Sequence, residues 1–215
     1  MSKIPVSVCF LGAPASGKGT MASKIEKRLG HPSVSPGGIF KNIREQSGET
    51  ADLVRESLKD GGLCPNWLTN QLVLEESKKL IDNGAKLITL DGFPRTLDQL
   101  DFLLENFDVK IFLHCSTHYQ TMKKLVINRR SCKTCKAVFS CLNPPEECSA
   151  ICNIKDESTW EKRWDDTPEF FAKRYKVFKK ETYPVVLAVK NFDNYLKLDL
   201  IKDKTSLDLL ISKLI

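Results

Sequence analysis

Val6-Ser7-Val8-Cys9-Phe10-Leu11-Gly12-Ala13-Pro14-Ala15-Ser16-Gly17-Lys18-Gly19-Thr20 is the stretch on which the fold turns. Its first half is a β-rich apolar run, its middle is a Gly-rich turn, and a helical pattern follows over 17–29. A turn of the form G-x-x-x-x-G-K between a strand and a helix is a phosphate-binding loop. Glycines let backbone N–H groups converge on phosphate oxygens, and the helix N-terminus adds positive potential there. In that geometry Lys18 reaches the β- and γ-phosphates of a nucleoside triphosphate, and a hydroxyl near the helix start meets Mg²⁺. The position after Lys18 is Gly19, and the hydroxyl comes one residue later, from Thr20.

Outward from this loop, short apolar runs at 86–91, 110–115 and 195–199 read as strands, with another short strand ending at Val34. Segments of helical period and length separate them at 66–83, 119–130 and 168–191. Strands alternating with helices predict a parallel sheet covered on both faces. Two regions interrupt the alternation. Residues 36–64 hold helical pieces broken by Gly48 and Gly61-Gly62, and 131–162 hold five cysteines, Asn143-Pro144-Pro145 and no long helix. Both read as lobes inserted into an α/β core. There is no internal repeat and no low-complexity segment.

The chain has 215 residues, 41% hydrophobic and 28% charged, which describes an ordinary globular protein. No apolar run approaches the roughly 20 residues a spanning helix needs. The stretch 1–10 contains Pro5 and is too short for a signal-peptide core, so a cytoplasmic location is expected. A net charge of +6 suits polyanionic ligands, nucleotides as well as nucleic acids. The most basic run, 173–180, reads mainly as a solvated helix face. Eight cysteines are present, and without a secretory signal the cluster at 132–152 reads as a metal site before it reads as disulfides. Cys132-x-x-Cys135 forms a zinc knuckle that needs two further ligands. Cys148 and Cys152 complete one set of four thiolates.

A second segment, Asp91-Gly92-Phe93-Pro94-Arg95-Thr96-x-x-Gln99, follows the 86–91 run at the C-terminal end of a strand, where a ligand site is expected. Asp91 can hold Mg²⁺ through water, Arg95 offers a fork suited to a phosphate, and the Gln99 amide carries a donor and an acceptor for a base edge. Together with the Gly-Lys-Gly-Thr ending of the first loop, this segment resembles the signature of the adenylate kinase family. The resemblance covers essentially the whole chain. It implies a P-loop three-layer sandwich with a five-stranded parallel sheet, a core of 1–35, 65–128 and 163–215, an NMP-binding lobe at 36–64 and a lid at 129–162. The implied reaction is reversible, Mg²⁺-dependent transfer of a γ-phosphoryl group from ATP to AMP.

By the same resemblance, the donor contacts are Gly12, Ala15, Ser16, Gly17, Lys18, Gly19, Thr20 and Arg129. The acceptor contacts are Lys41, Gly92, Arg95, Gln99, Arg163 and Arg174, and the catalytic cations are Lys18, Arg95, Arg129, Arg163 and Arg174. The pattern Arg163-Trp164-Asp165-Asp166, with Arg174 following, carries the last two. The resemblance also offers a second zinc set, in which Asp156 is the fourth ligand and Cys152 lies near the third. Several positions depart from the family pattern. Pro36, Gly38 and Lys41 stand where a hydroxyl, a carboxylate and an arginine are usual, and Pro65-Asn66 replaces Pro-Asp. Leu125 stands where an arginine usually stacks on the donor base. These departures leave three other readings: a GTP:AMP phosphotransferase, a degenerate kinase fold with weak activity, or, for the zinc knuckle and basic balance, a nucleic-acid-binding module. The phosphate-clamp placement of the basic residues disfavours the last, so nucleic acid and membrane are not expected partners. A monomer is expected.

Overall fold

The computed structural model describes residues 2–135, 137–142, 157–202 and 205–215. A strand apolar on both faces belongs inside a sheet covered on both sides, and β1 (Ile4–Gly12) is buried along nearly its whole length. After it come α1 (Lys18–Leu29), β2 (Ser33–Val34), α2 (Pro36–Arg44), α3 (Glu49–Leu58) and α4 (Asn66–Asp82). The chain continues through β3 (Ile88–Asp91), α5 (Leu97–Asn106), β4 (Phe107–Cys115) and α6 (Tyr119–Ile127). It ends with β5 (Arg129–Cys132), β6 (Val138–Ser140), β7 (Trp160–Glu161), α7 (Pro168–Val177), α8 (Tyr183–Val189), β8 (Tyr195–Leu198) and α9 (Ser206–Ser212).

Five strands form a parallel sheet in the order β2-β3-β1-β4-β8. One face packs Cys9, Leu11, Leu90 and Phe112 against Val73 of α4, Leu100 and Leu103 of α5, and Val185, Val186 and Val189 of α8. The other face packs Val8, Phe10 and Leu113 against Met21, Ala22 and Ile25 of α1 and Leu210 of α9. The three layers expected from the sequence are present. The register of β1 against β3 slips by one residue between Val6 and Val8. At that point the alternation changes face, so Ile4 and Val6 join the same cluster as Cys9 and Leu11.

Each interruption carries secondary structure of its own. α2 and α3 close on Phe40, Val54, Cys64 and Leu68, and Gly48 stands at their junction with φ 114°, in the left-handed region that favours glycine. In the second interruption β6, β5 and β7 form an antiparallel sheet, with Phe139 and Trp160 edge to face at 5.3 Å. These strands are two to four residues long and largely polar, too short to leave a periodic signal.

Three element boundaries differ from the sequence reading. The 119–130 helix ends at Ile127, because Arg129 and Arg130 of β5 pair with Ser140 and Phe139 of β6. The 168–191 helix is interrupted by a π-helical turn at Phe178–Thr182. Pro184 follows at the start of α8, where it lacks an N–H and its ring crowds the preceding turn. The 110–115 strand begins earlier, at Phe107, where Asp108 and Lys110 alternate outward from buried Phe107 and Val109.

Candidate active site

β2 and β3 lie on one side of β1, and β4 and β8 on the other. The winding therefore reverses beside β1, and the C-terminal ends of the strands there form the crevice where such sheets bind ligands. The loop from Gly12 to Gly17 leaves β1 at this edge. Gly12 has φ 144°, and a Cβ there would sit 2.4 Å from the Cys115 carbonyl oxygen, so no side chain fits. Ala15 and Gly17 also have positive φ, at 61° and 92°, and Ser16 is wholly buried. Lys18 folds back over the loop and donates to the carbonyls of Gly12 at 2.9 Å and Ala13 at 2.7 Å, and to Ser16 Oγ at 3.3 Å. Burial lowers the Lys18 pKa from the ordinary lysine value, with the Asp91 carboxylate acting in the opposite direction.

β3 delivers the second segment to the same edge. A Cβ on Gly19 would lie 3.1 Å from Asp91 Oδ2, so the bare glycine lets this carboxylate stand against the first turn of α1. Thr20, the next residue, is exposed on the same turn. A carboxylate at the strand end and a hydroxyl on the first turn of α1 are oxygen donors of the kind Mg²⁺ takes. Gly92 has φ 75°, which turns the chain so that Arg95 Nε donates to the Gly92 carbonyl at 2.8 Å. Thr96 then caps α5 by accepting from the Gln99 N–H at 3.2 Å. The Gln99 amide is buried and already engaged: its Oε1 accepts from the Arg95 N–H at 2.8 Å and its Nε2 donates to Asn66 Oδ1 at 3.0 Å.

The remaining arginines are organised by two buried carboxylates. Arg129 makes a bidentate pair with Asp166, through Nε at 2.8 Å and through Nη2. Arg163 makes a bidentate pair with Asp165 at 2.9 and 2.7 Å, and Arg174 Nη1 reaches the same Asp165 at 3.1 Å. Asp166 is fully buried and Asp165 nearly so. Burial pushes the Asp165 pKa up, but the Arg163 hydrogen bonds and the charges of Arg163, Arg174 and Arg129 outweigh it and hold the group below its usual value. Burial and then the nearby Arg95 charge bring Arg174 down to about 10. Lys18 is in turn lowered by the charges of Arg95 and Arg174. Five cations thus face three carboxylates, an excess of positive charge suited to a polyphosphate.

Lys41 lies exposed on α2. Two neighbouring contacts tie the α2–α3 unit to the chain around α7: Lys173 Nζ to Asp60 at 2.7 Å, and the Arg44 guanidinium 5.4 Å from the Trp164 ring centre. Cys132 is buried on β5 and Cys135 is exposed in the following turn, while Cys148, Cys152 and Asp156 lie outside the described residues. Among the described residues no three His, Cys, Asp or Glu side chains are grouped to hold a metal. Burial, helped by Asp91, raises Cys9 and Cys115, the latter to about 12, so neither offers a thiolate near the loop.

Comparison with known proteins settles what this edge belongs to. The model of the family described as Adenylate kinase matches residues 10–194. The chain belongs to the adenylate kinase family. It is similar to adenylate kinase of Rickettsia akari (strain Hartford), 32% identical over 210 residues that cover 97% of this chain and 98% of the relative. The adenylate kinase of Rickettsia prowazekii (strain Madrid E) is 33% identical over 214 residues with the same coverage of each chain. Against this adenylate kinase fold, three features escaped the reading of the sequence. Asp165 and Asp166 were seen only as spacing between arginines, and they are the anchors of the clamp. Asn66 was seen only as a departure from Pro-Asp, and it bonds Gln99. Their signal is weak because Asp166 and Asn66 act through partners 37 and 33 positions away, and Asp165 joins its near neighbour Arg163 to Arg174, nine positions on. Among the described residues, no helix is long and apolar enough to cross a membrane.

Proposed function

We propose that the protein transfers the γ-phosphoryl group of ATP to AMP, reversibly and with Mg²⁺, giving two molecules of ADP. The observation that carries this reading is the gathering of the Lys18 loop, Asp91, Arg95 and the Arg129–Arg163–Arg174 cluster beside one reversal of the sheet. Phosphoryl transfer spreads negative charge over the moving group, so the protein's work is positioning and cationic stabilisation. Residues 12–17 cradle the donor phosphates with backbone N–H groups, and Lys18 exchanges its carbonyl partners for β- and γ-oxygens. Arg95, whose Nη atoms extend beyond its bond to Gly92, holds the acceptor phosphate. Arg129, Arg163 and Arg174 neutralise the transferring group. Gln99 and Gly92 line the acceptor base side, and Lys41 supplies positive charge from the acceptor lobe. Asp91, through water, and Thr20 near it would hold Mg²⁺, which would supply positive charge to the donor phosphates. No general base is needed, because the acceptor phosphate is already ionised.

In this reading 36–64 is the acceptor lobe and 129–162 the lid, the rest being the core, and the enzyme works as a cytoplasmic monomer without nucleic acid. The lid holds structural zinc on Cys132, Cys135 and Cys152, with Cys148 or Asp156 as the remaining ligand. Leu125, part-way along α6, supports a second reading in which GTP is the donor, since no cation stands at the position that elsewhere stacks on adenine. A coupled turnover assay of four triphosphates against four monophosphates tests both. ATP with AMP is the expected best pair, and Lys18→Met lowers its kcat by orders of magnitude while the circular dichroism spectrum stays unchanged. Near-normal turnover by Lys18→Met refutes the assignment of the loop.

A further inference from the structure

We propose that Asn66 fixes the orientation of the Gln99 side-chain amide and thereby sets the preference for adenine over guanine in the acceptor. The inference rests on the reading of Gln99 as the residue that meets the acceptor base. Asn66 opens α4 directly after Pro65, where the acceptor lobe rejoins the core. Its Oδ1 accepts from Gln99 Nε2 at 3.0 Å and from Thr96 Oγ1 at 3.0 Å, and its Nδ2 donates to Asp98 Oδ2 at 2.9 Å.

An amide can be turned end for end, exchanging donor and acceptor, and ordinarily little opposes this. Here both ends of the chain of bonds are groups of one kind. The Arg95 backbone N–H can only donate, and it requires the oxygen of Gln99. The Asp98 carboxylate can only accept, and it requires the nitrogen of Asn66, which leaves the Asn66 oxygen facing Gln99. Between these fixed ends a single assignment of both amides satisfies every bond. Turning Gln99 would set two donors against each other at Arg95 and two acceptors against each other at Asn66. With Gln99 2% exposed, water does not relieve those contacts.

The bonds to Arg95 and Asn66 use one lone pair of Oε1 and one hydrogen of Nε2. One acceptor and one donor therefore remain, at fixed positions. They match the amino group and ring N1 of adenine. Guanine reverses that pair, with a carbonyl and a ring N–H, and would need Gln99 turned over. A site built on buried polar groups rejects the mismatched analogue because its own groups are left unpaired. Asn66 is a positioning residue in this scheme and does not itself meet the base.

The test measures kcat/KM for AMP and for GMP, with saturating ATP, in the parent, Asn66→Ala, the Asn66→Asp/Asp98→Asn pair, Gln99→Ala and the Asn66→Ala/Gln99→Ala pair. Losing one of the two bonds that orient the amide should lower the AMP-over-GMP ratio of Asn66→Ala by about tenfold, through KM for AMP and not KM for ATP. Asn66→Asp keeps an acceptor toward Gln99 but would face the Asp98 carboxylate, so it is combined with Asp98→Asn, and that pair should retain the ratio within about threefold, scaled to the same hydrogen-bond energy. In the Gln99→Ala background, Asn66→Ala should change the ratio no further. A parent that uses GMP as well as AMP overturns the adenine reading itself. A parent that discriminates while Asn66→Ala keeps its ratio leaves that reading standing and overturns the role of Asn66. An equal loss on adding Asn66→Ala to Gln99→Ala also overturns it, because the residue then acts on folding and not through the amide.

Discussion

Asp166→Asn isolates the anchoring of the arginine clamp from the chemistry of the clamp. Asp166 is fully buried, and its partner Arg129 has 21% of its side chain exposed. The substitution preserves shape but replaces one acceptor oxygen with an NH₂ group that faces the donor fork of the guanidinium. Removing one partner of a buried pair costs about 3–5 kcal/mol, and the partial exposure of Arg129 brings the expectation to about 2–3 kcal/mol. For a chain of this size each kcal/mol shifts Tm by about 2–4 °C, so the midpoint should fall by about 4–12 °C. Displacement of Arg129 should also lower kcat at least about tenfold, the equivalent of about 1.4 kcal/mol in the barrier. Differential scanning calorimetry and the coupled turnover assay read the two effects. Asp52→Asn, which breaks an exposed pair with Arg55, is the control and should leave both unchanged. An Asp166→Asn protein with the parent's Tm and kcat would refute the claim that buried carboxylates set the arginines in place.

Two further outcomes test other parts of the molecule. His114, bonded through Nδ1 to the Tyr195 hydroxyl at 2.9 Å, is brought down to about 4 by burial and then by the charges of Lys197 and Lys18. Between its ordinary value of 6.5 and about 4 the unfolded chain binds more protons than the folded one, so stability should fall as pH drops through that window and be level above it. His114→Gln should flatten that part of the profile of urea midpoints against pH, and an unchanged slope would count against it. In the lid, Cys132→Ser or Cys135→Ser should abolish stoichiometric zinc by elemental analysis and lower thermal stability while sparing much of the catalysis. Zinc loss in Cys148→Ser but not Asp156→Asn would identify Cys148 as the remaining ligand, the reverse would identify Asp156, and a zinc-free parent from metal-supplemented expression would remove the metal from the account.

The sequence by itself determined the sheet and the loop on it. The apolar run at 6–11 followed by Gly12–Thr20 dictates a buried strand, a Gly-rich turn, and a helix whose N-terminus faces the ligand. These are local constraints, written in consecutive residues. It also placed Asp91, Arg95 and Gln99 together, because one short strand-to-helix segment holds all three. The break at Gly48 is legible in the sequence and marks a junction as read, while the π-helical turn ahead of Pro184 lies inside what periodicity renders as one helix. Only the tertiary structure decided which carboxylate holds which arginine. Asp166 meets Arg129 across 37 positions, and Asp165 is shared by Arg163 and Arg174. The same holds for Asn66 and Gln99, which are 33 positions apart and are brought within reach by the packing of α4 against α5. Spacing in a chain specifies periodicity and turns. The pairing of buried polar groups depends on which donors and acceptors the packing brings within hydrogen-bond reach, and that is a property of the folded molecule.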